Sequence, residues 1–208
     1  MKKQHFRFIL FLLLLFSPLL LNAAQEGLKN KLEALAGVSE VSDLKSSYYN
    51  EKYVVMFKHQ LDYKNSQAGK FNQRVIICHA GFDRPTVIVT EGYWADYAMR
   101  ENYVEELSKL LNTNVVFVEY RYFGKSMPNP CNWNYLTVEN SLNDLHQVRT
   151  ALKDIYPGKW IATGISKGGQ TTLFYRTYFP NDVDISVPYV APLNRSVEDG
   201  RHQPFIEK

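Results

Sequence analysis

The chain has 208 residues, 45% of them hydrophobic and 14% aromatic, with only two cysteines. That is enough to bury a core, and the composition excludes a disordered tail, a collagen-like fibre and a cysteine-stapled mini-protein. The formal charge of +3 reflects 24 Lys+Arg against 21 Asp+Glu, and Lys2, Lys3 and Arg7 account for all of it.

Those three cations open the chain, ahead of an apolar run from Phe8 to Leu21 and the small residues Asn22-Ala23-Ala24. This is the layout of a secretory signal peptide, and the run is short for a membrane span of about 20 residues. We expect residues 1–24 to be removed and residues 25–208 to work in the periplasm or outside the cell. Without the leader the charges balance, which leaves no basic footprint for nucleic acid.

Residues 25–50 read as a polar lead-in with a short helix around Leu28 to Leu35. Tyr53–Phe57 is a first strand, rich in β-branched and aromatic residues. Val75–Ala80 and Thr86–Thr90 are a second and a third, and their short connections suggest an antiparallel start. Tyr103, Leu107, Leu110 and Leu111 recur at helical spacing, and Asn112-Thr113-Asn114 stops that helix. Val115–Glu119 is a fourth strand, an unbroken apolar run suited to a sheet covered on both faces.

After a loop with Gly124, Pro128 and Pro130, Thr137 is placed to cap a helix with Leu142, Leu145, Val148, Leu152 and Ile155 on one face. Trp160–Thr163 is a fifth strand. Gly164-Ile165-Ser166-Lys167-Gly168-Gly169 follows and leads into a helix ending near Tyr178. Ile185–Val190 is a sixth strand, although Pro188 is awkward in a central position. Strands alternating with helices predict an α/β fold with a mostly parallel sheet.

Gly164-Ile165-Ser166-Lys167-Gly168 matches G-x-S-x-G, the nucleophile elbow of α/β-hydrolases. There the serine sits on a sharp strand-to-helix turn, and the helix start faces the anion that develops during acyl transfer. An ordinary glycine-rich turn is the competing reading. The serine follows a strand, opens a helix and comes after the fifth strand, as this fold requires. The backbone N–H of Lys167 is then one oxyanion donor, and the loop after the third strand offers Gly92 or Tyr93 N–H as the other. The Lys167 side chain reads as surface charge rather than as the base of a Ser–Lys dyad.

In this fold the acid and the histidine follow the serine. The later acids are Asp182, Asp184, Glu198, Asp199 and Glu207, and His202 is the one later histidine. Asp182 and Asp184 suit structural roles, and His202 lies on a polar segment after only six strands. His59, His79 and His146 precede the serine and suit core or surface roles. The expected fold is therefore an α/β-hydrolase core truncated after about strand six of eight, with triad acid and histidine absent.

In the α/β-hydrolase fold the second strand runs antiparallel beside the fourth, so Cys78, near the end of the second, lies at the bottom and Cys131 leaves from the top of the fourth. A strand of about seven residues spans roughly 23 Å, whereas a disulfide tolerates only about 7 Å between Cα atoms. Pairing needs the loop from Arg121 to Cys131 to run down the sheet edge.

The runs Glu119–Ser126 (EYRYFGKS), Trp133, Leu136-Thr137, Lys159–Gly169 (KWIATGISKGG), Tyr178–Asp184 (YFPNDVD) and Val190-Ala191-Pro192 resemble the secreted bacterial prolyl tripeptidyl/tetrapeptidyl aminopeptidases. The first run is also similar to the E-x-R-Y-x-G-x-S segment of prolyl carboxypeptidase-like serine peptidases. The resemblance covers about Tyr53 to Asn194. It implies a serine exopeptidase acting on peptides, with Ser166 as nucleophile and a helical cap inserted after strand six. An aminopeptidase needs an anion for the substrate's free amine. Glu91 is a candidate by position, with an ion pair to Arg121 as the competing role. No metal or organic cofactor is implied, since no H-E-x-x-H, P-loop or dinucleotide fingerprint occurs. An exported esterase of the same fold and a non-catalytic remnant are the alternative readings.

Overall fold

The computed structural model describes residues 27–196 and 199–208, so the expected signal peptide lies outside the described residues. A short helix, α1 (Leu28–Glu33), leads into β1 (Val38–Asp43), β2 (Glu51–Gln60), β3 (Lys70–His79) and β4 (Thr86–Thr90). Then come α2 (Glu106–Leu111), β5 (Asn114–Val118), α3 (Val138–Leu152), β6 (Trp160–Ile165), α4 (Lys167–Tyr178), β7 (Ile185–Tyr189) and α5 (His202–Ile206).

The seven strands form one sheet in the order β1-β2-β3-β5-β4-β6-β7. β1, β2, β3 and β5 pair antiparallel, and β5, β4, β6 and β7 pair parallel. β1 was not expected. Its sequence, VSEVSD, does not alternate, because as an edge strand it buries only part of one face. β3 and β4 also differ from the expectation of neighbouring hairpin strands, since β5 lies between them. Pro188 sits in β7, which pairs only with β6 among the described residues. Its missing N–H therefore breaks no ladder there.

The pleat sorts the core into two layers. Val75 and Ile77 of β3 face α1, α3 and α4, packing with Leu28, Leu142, Leu145, Val148 and Tyr175. Ile76 and Cys78 face the other way, with Val87, Phe117, Ala95 and Ala98. All five residues of β4 and of β5 are buried, and for β5 the apolar run from Val115 predicts it. Thr137 caps α3 by accepting from Asn140 N at 3.1 Å.

Cys78 is buried and Cys131 exposed, and neither is bonded to the other. Burial pushes the Cys78 thiol up to about 12, so it stays an inert core thiol. Among the described residues no helix is long and apolar enough to cross a membrane.

Candidate active site

β6 ends against α4 with one residue to turn in, Ser166. Its backbone sits at φ 55° and ψ −117°, a conformation L-residues rarely adopt, and its side chain faces solvent. The turn holds because three glycines let backbone approach backbone. A Cβ on Gly164 would stand 2.5 Å from the Gly168 carbonyl oxygen. One on Gly168 would stand 2.6 Å from Thr90 O, and one on Gly169 2.6 Å from Tyr189 O. Ser166 N donates to Tyr189 O at 3.0 Å, which ties the elbow to β7.

Thr90, fully buried at the end of β4, fastens the other side. Its hydroxyl lies 2.9 Å from Gly168 O and 2.6 Å from Thr172 Oγ1. The sequence reading passed over Thr90, which carries no motif of its own.

The loop after β4 lies directly on this turn. A Cβ on Gly92 would meet Lys167 Cβ at 2.8 Å. Gly92 N–H is taken by its neighbour's carboxylate, Glu91 Oε1, at 2.9 Å. That removes Gly92 from the two expected oxyanion candidates. Among the described residues nothing accepts from Tyr93 N–H or Lys167 N–H. The first turn of α4 adds its dipole at the same point.

Lys167 departs from the expectation of a surface charge. Its Nζ donates to Gly92 O at 2.6 Å and lies 3.3 Å from the centre of the Tyr120 ring. Tyr93 and Phe123 stand 5.2 and 5.4 Å away. Burial pushes the ammonium down to about 8, with Glu91 pulling the other way. No local pattern announces this cage, because its three rings come from two separate loops.

Glu91 and Arg121 do not pair. Glu91 Oε2 accepts from Tyr97 Oη at 2.5 Å, and the carboxylate lines a cavity of about 480 Å³ that also touches Gly164 and Ile165. Arg121 is fully buried and grips Asp144 through two bonds of 2.7 and 2.8 Å. It also donates to the carbonyls of Gln60, Leu61 and Tyr135. Its own network therefore uses the guanidinium completely.

Glu119 organises the rest. Fully buried, it accepts from Ala95 N at 2.9 Å and pairs with Arg74 through Oε1. Oε2 accepts from Lys125 N, Ser126 N and Ser126 Oγ at 2.8–3.0 Å. Ala95 follows Tyr93 by two residues, so this carboxylate anchors the loop after β4.

No described histidine bonds to Ser166. His146 Nδ1 lies 2.8 Å from Asp182, which also accepts from Tyr175 Oη. His59 and His79 contact the hydroxyls of Tyr63 and Tyr156. Asp184 binds Lys159 and Trp160 N, Asp199 binds Arg201, and His202 is exposed on α5. Glu207, exposed at the end of the chain, accepts from Gln203 Nε2 at 2.6 Å, and Glu198 lies outside the described residues.

The sequence matches the family described as PS-10 peptidase S37 over residues 23–206. The chain belongs to the peptidase S37 family. It is 33% identical over 189 residues to a prolyl tri/tetrapeptidyl aminopeptidase of Streptomyces mobaraensis, covering 90% of this chain and 39% of that protein. Against the human lysosomal Pro-X carboxypeptidase it is 26% identical over 157 residues, which are 67% of this chain and 32% of the relative. The chain thus spans well under half the length of either relative.

Solved structures support the fold. The α/β hydrolase GrgF of Penicillium sp. sh18 superposes with a TM-score of 0.52 at 19% identity, over 75% of this chain and 51% of that one. The esterase LipA of Xanthomonas oryzae superposes with a TM-score of 0.50 at 15% identity, over 74% and 50%. The fold is therefore that of an α/β-hydrolase core.

Proposed function

We propose that this chain carries the nucleophile of an exported serine exopeptidase that releases short N-terminal peptides, with proline at the cleaved position. The observation that carries the reading is Ser166, exposed on a positive-φ turn and set beside two unengaged backbone N–H groups. The Streptomyces relative's name supplies the substrate class.

Ser166 Oγ attacks the scissile carbonyl, and Lys167 N–H and Tyr93 N–H hold the resulting oxyanion. A histidine outside this sequence takes the serine proton and returns it to the leaving amine, oriented by an acid also outside it. Glu91 receives the substrate's free amine, since its part-exposed carboxylate lines the cavity next to Gly164.

Fluorophosphonate labelling of the full-length protein, abolished in Ser166→Ala, tests the nucleophile; persistent labelling of that variant would refute it. Xaa-Xaa-Pro-naphthylamides are expected to give a larger kcat/KM than p-nitrophenyl esters. The reverse order would make the protein an esterase. The 208-residue chain alone is expected to show no turnover.

A further inference from the structure

Tyr93 N–H and Gly92 C=O belong to one peptide unit. The Gly92–Tyr93 bond is trans, since Asn129–Pro130 is the cis bond of the described chain. In a trans peptide the C=O and the N–H point in opposite directions within one plane. Whatever holds Gly92 O therefore sets where Tyr93 N–H points.

One group holds that plane and a second holds the peptide that follows it. Lys167 Nζ donates to Gly92 O at 2.6 Å. On the other side of the residue, Tyr120 N donates to Tyr93 O at 2.9 Å. The ammonium has one oxygen partner and otherwise meets ring faces, those of Tyr120, Tyr93 and Phe123. Such faces attract a cation but accept no directed bond as strong as a carbonyl's. Its directional hydrogen bond thus goes to Gly92. A cation on an amide oxygen also draws electron density through the peptide resonance, making the N–H at the far end a stronger donor.

We propose that Lys167 is a positioning residue for the oxyanion: it supplies one donor from its backbone, and its side chain aims and polarises the other, Tyr93 N–H. This rests on the serine-hydrolase reading for its consequence but not for its geometry. The groups facing the ammonium are the Glu91 carboxylate, the Tyr93 and Tyr120 rings and the Phe123 ring.

The geometric part has its own probe. Gly92-Tyr93 is the only Gly–Tyr pair in the sequence. Carbonyl-13C glycine with 15N tyrosine gives a carbon-detected cross-peak for Gly92 C=O and Tyr93 N together, identified among any others by its loss in Tyr93→Phe. In the intact protein this peak is expected to titrate with a midpoint near the Lys167 value of about 8. Lys167→Met should abolish that titration, and Lys167→Arg should restore a carbonyl shift. A peak that does not move with pH, or moves alike in Lys167→Met, overturns the proposal.

The kinetic part uses the intact enzyme. Lys167→Met should lower kcat by roughly 10²-fold, the low end for one lost oxyanion donor, with KM within about twofold and partial recovery in Lys167→Arg. An unchanged kcat, or a loss confined to KM, overturns the proposal even if the cross-peak shifts. Turnover that survives Ser166→Ala sinks the serine-hydrolase reading instead and leaves the carbonyl titration standing.

Discussion

Replacing Glu119 by glutamine changes its size hardly at all but removes a charge and two acceptor sites. Oε1 of the buried carboxylate serves Ala95 N and Arg74; Oε2 serves Lys125 N, Ser126 N and Ser126 Oγ. A glutamine offers one oxygen and one NH2. If the oxygen stays with Arg74 and Ala95, the NH2 confronts the N–H groups of Lys125 and Ser126. Turned round, it confronts the guanidinium. The first arrangement is the milder, and it orphans the buried Ser126 N–H and the part-buried Lys125 N–H at about 1–3 kcal/mol each. Arg74 keeps its second partner, Asp96, at 2.6 Å, so the lost charge adds little and the two orphaned donors set the expected loss at about 4 kcal/mol. With a urea slope of about 2 kcal/mol per molar, the unfolding midpoint should fall by roughly 2 M. The assay is urea unfolding of Glu119→Gln and wild type, read by tryptophan fluorescence. A change below about 1 kcal/mol at unchanged slope would refute the argument that this carboxylate holds the loop.

Two further outcomes follow from the same contacts. Gly168→Ala forces a Cβ to 2.6 Å from Thr90 O, backbone against backbone. It should cost about 1–3 kcal/mol and depress activity by displacing Lys167 N–H, whereas Gly27→Ala, with nothing within 4 Å, should leave the melting midpoint in place; equal effects would refute it. Burial holds His59 and His79 below their ordinary 6.5, against smaller upward pulls from Asp144 and Glu51. The unfolded chain then takes up protons first, so stability present above pH 6.5 is lost as the pH falls through it. His79→Phe should flatten that slope between pH 7.5 and 5.5 by at most about 1.4 kcal/mol per pH unit, and an unaltered slope would count against it.

The parts of the site that were legible are those built from neighbours in sequence. Gly164, Ser166 and Gly168 announce the elbow because one sharp turn demands them within five residues. Val115–Val118 announces a two-sided strand because every position is buried. β1 escaped notice because VSEVSD carries neither period, and the Lys167 cage because residues 93, 120 and 123 meet only through the sheet order. The competing role for Glu91, a pair with Arg121, failed for a related reason: Arg121 has its bidentate partner, Asp144, on α3.

The segment after β5 shows why a short signature reaches so far. Glu119, Tyr120 and Arg121 are consecutive, yet each serves a different part of the molecule. The Glu119 carboxylate anchors Ala95, two residues past Tyr93. The Tyr120 ring takes the Lys167 ammonium at the elbow, while Tyr120 N holds Tyr93 O. Arg121 reaches back to the carbonyls of Gln60 and Leu61, where β2 ends. Gly124 follows because a Cβ there, at φ 49°, would stand 2.9 Å from Glu119 Cδ. Three adjacent residues thus join the antiparallel end of the sheet, the loop after β4 and the turn at Ser166, which are far apart in sequence. A substitution at any of the three should therefore disturb residues far from it in sequence: Arg74 and Ala95 for Glu119, Lys167 for Tyr120, and Gln60 and Leu61 for Arg121.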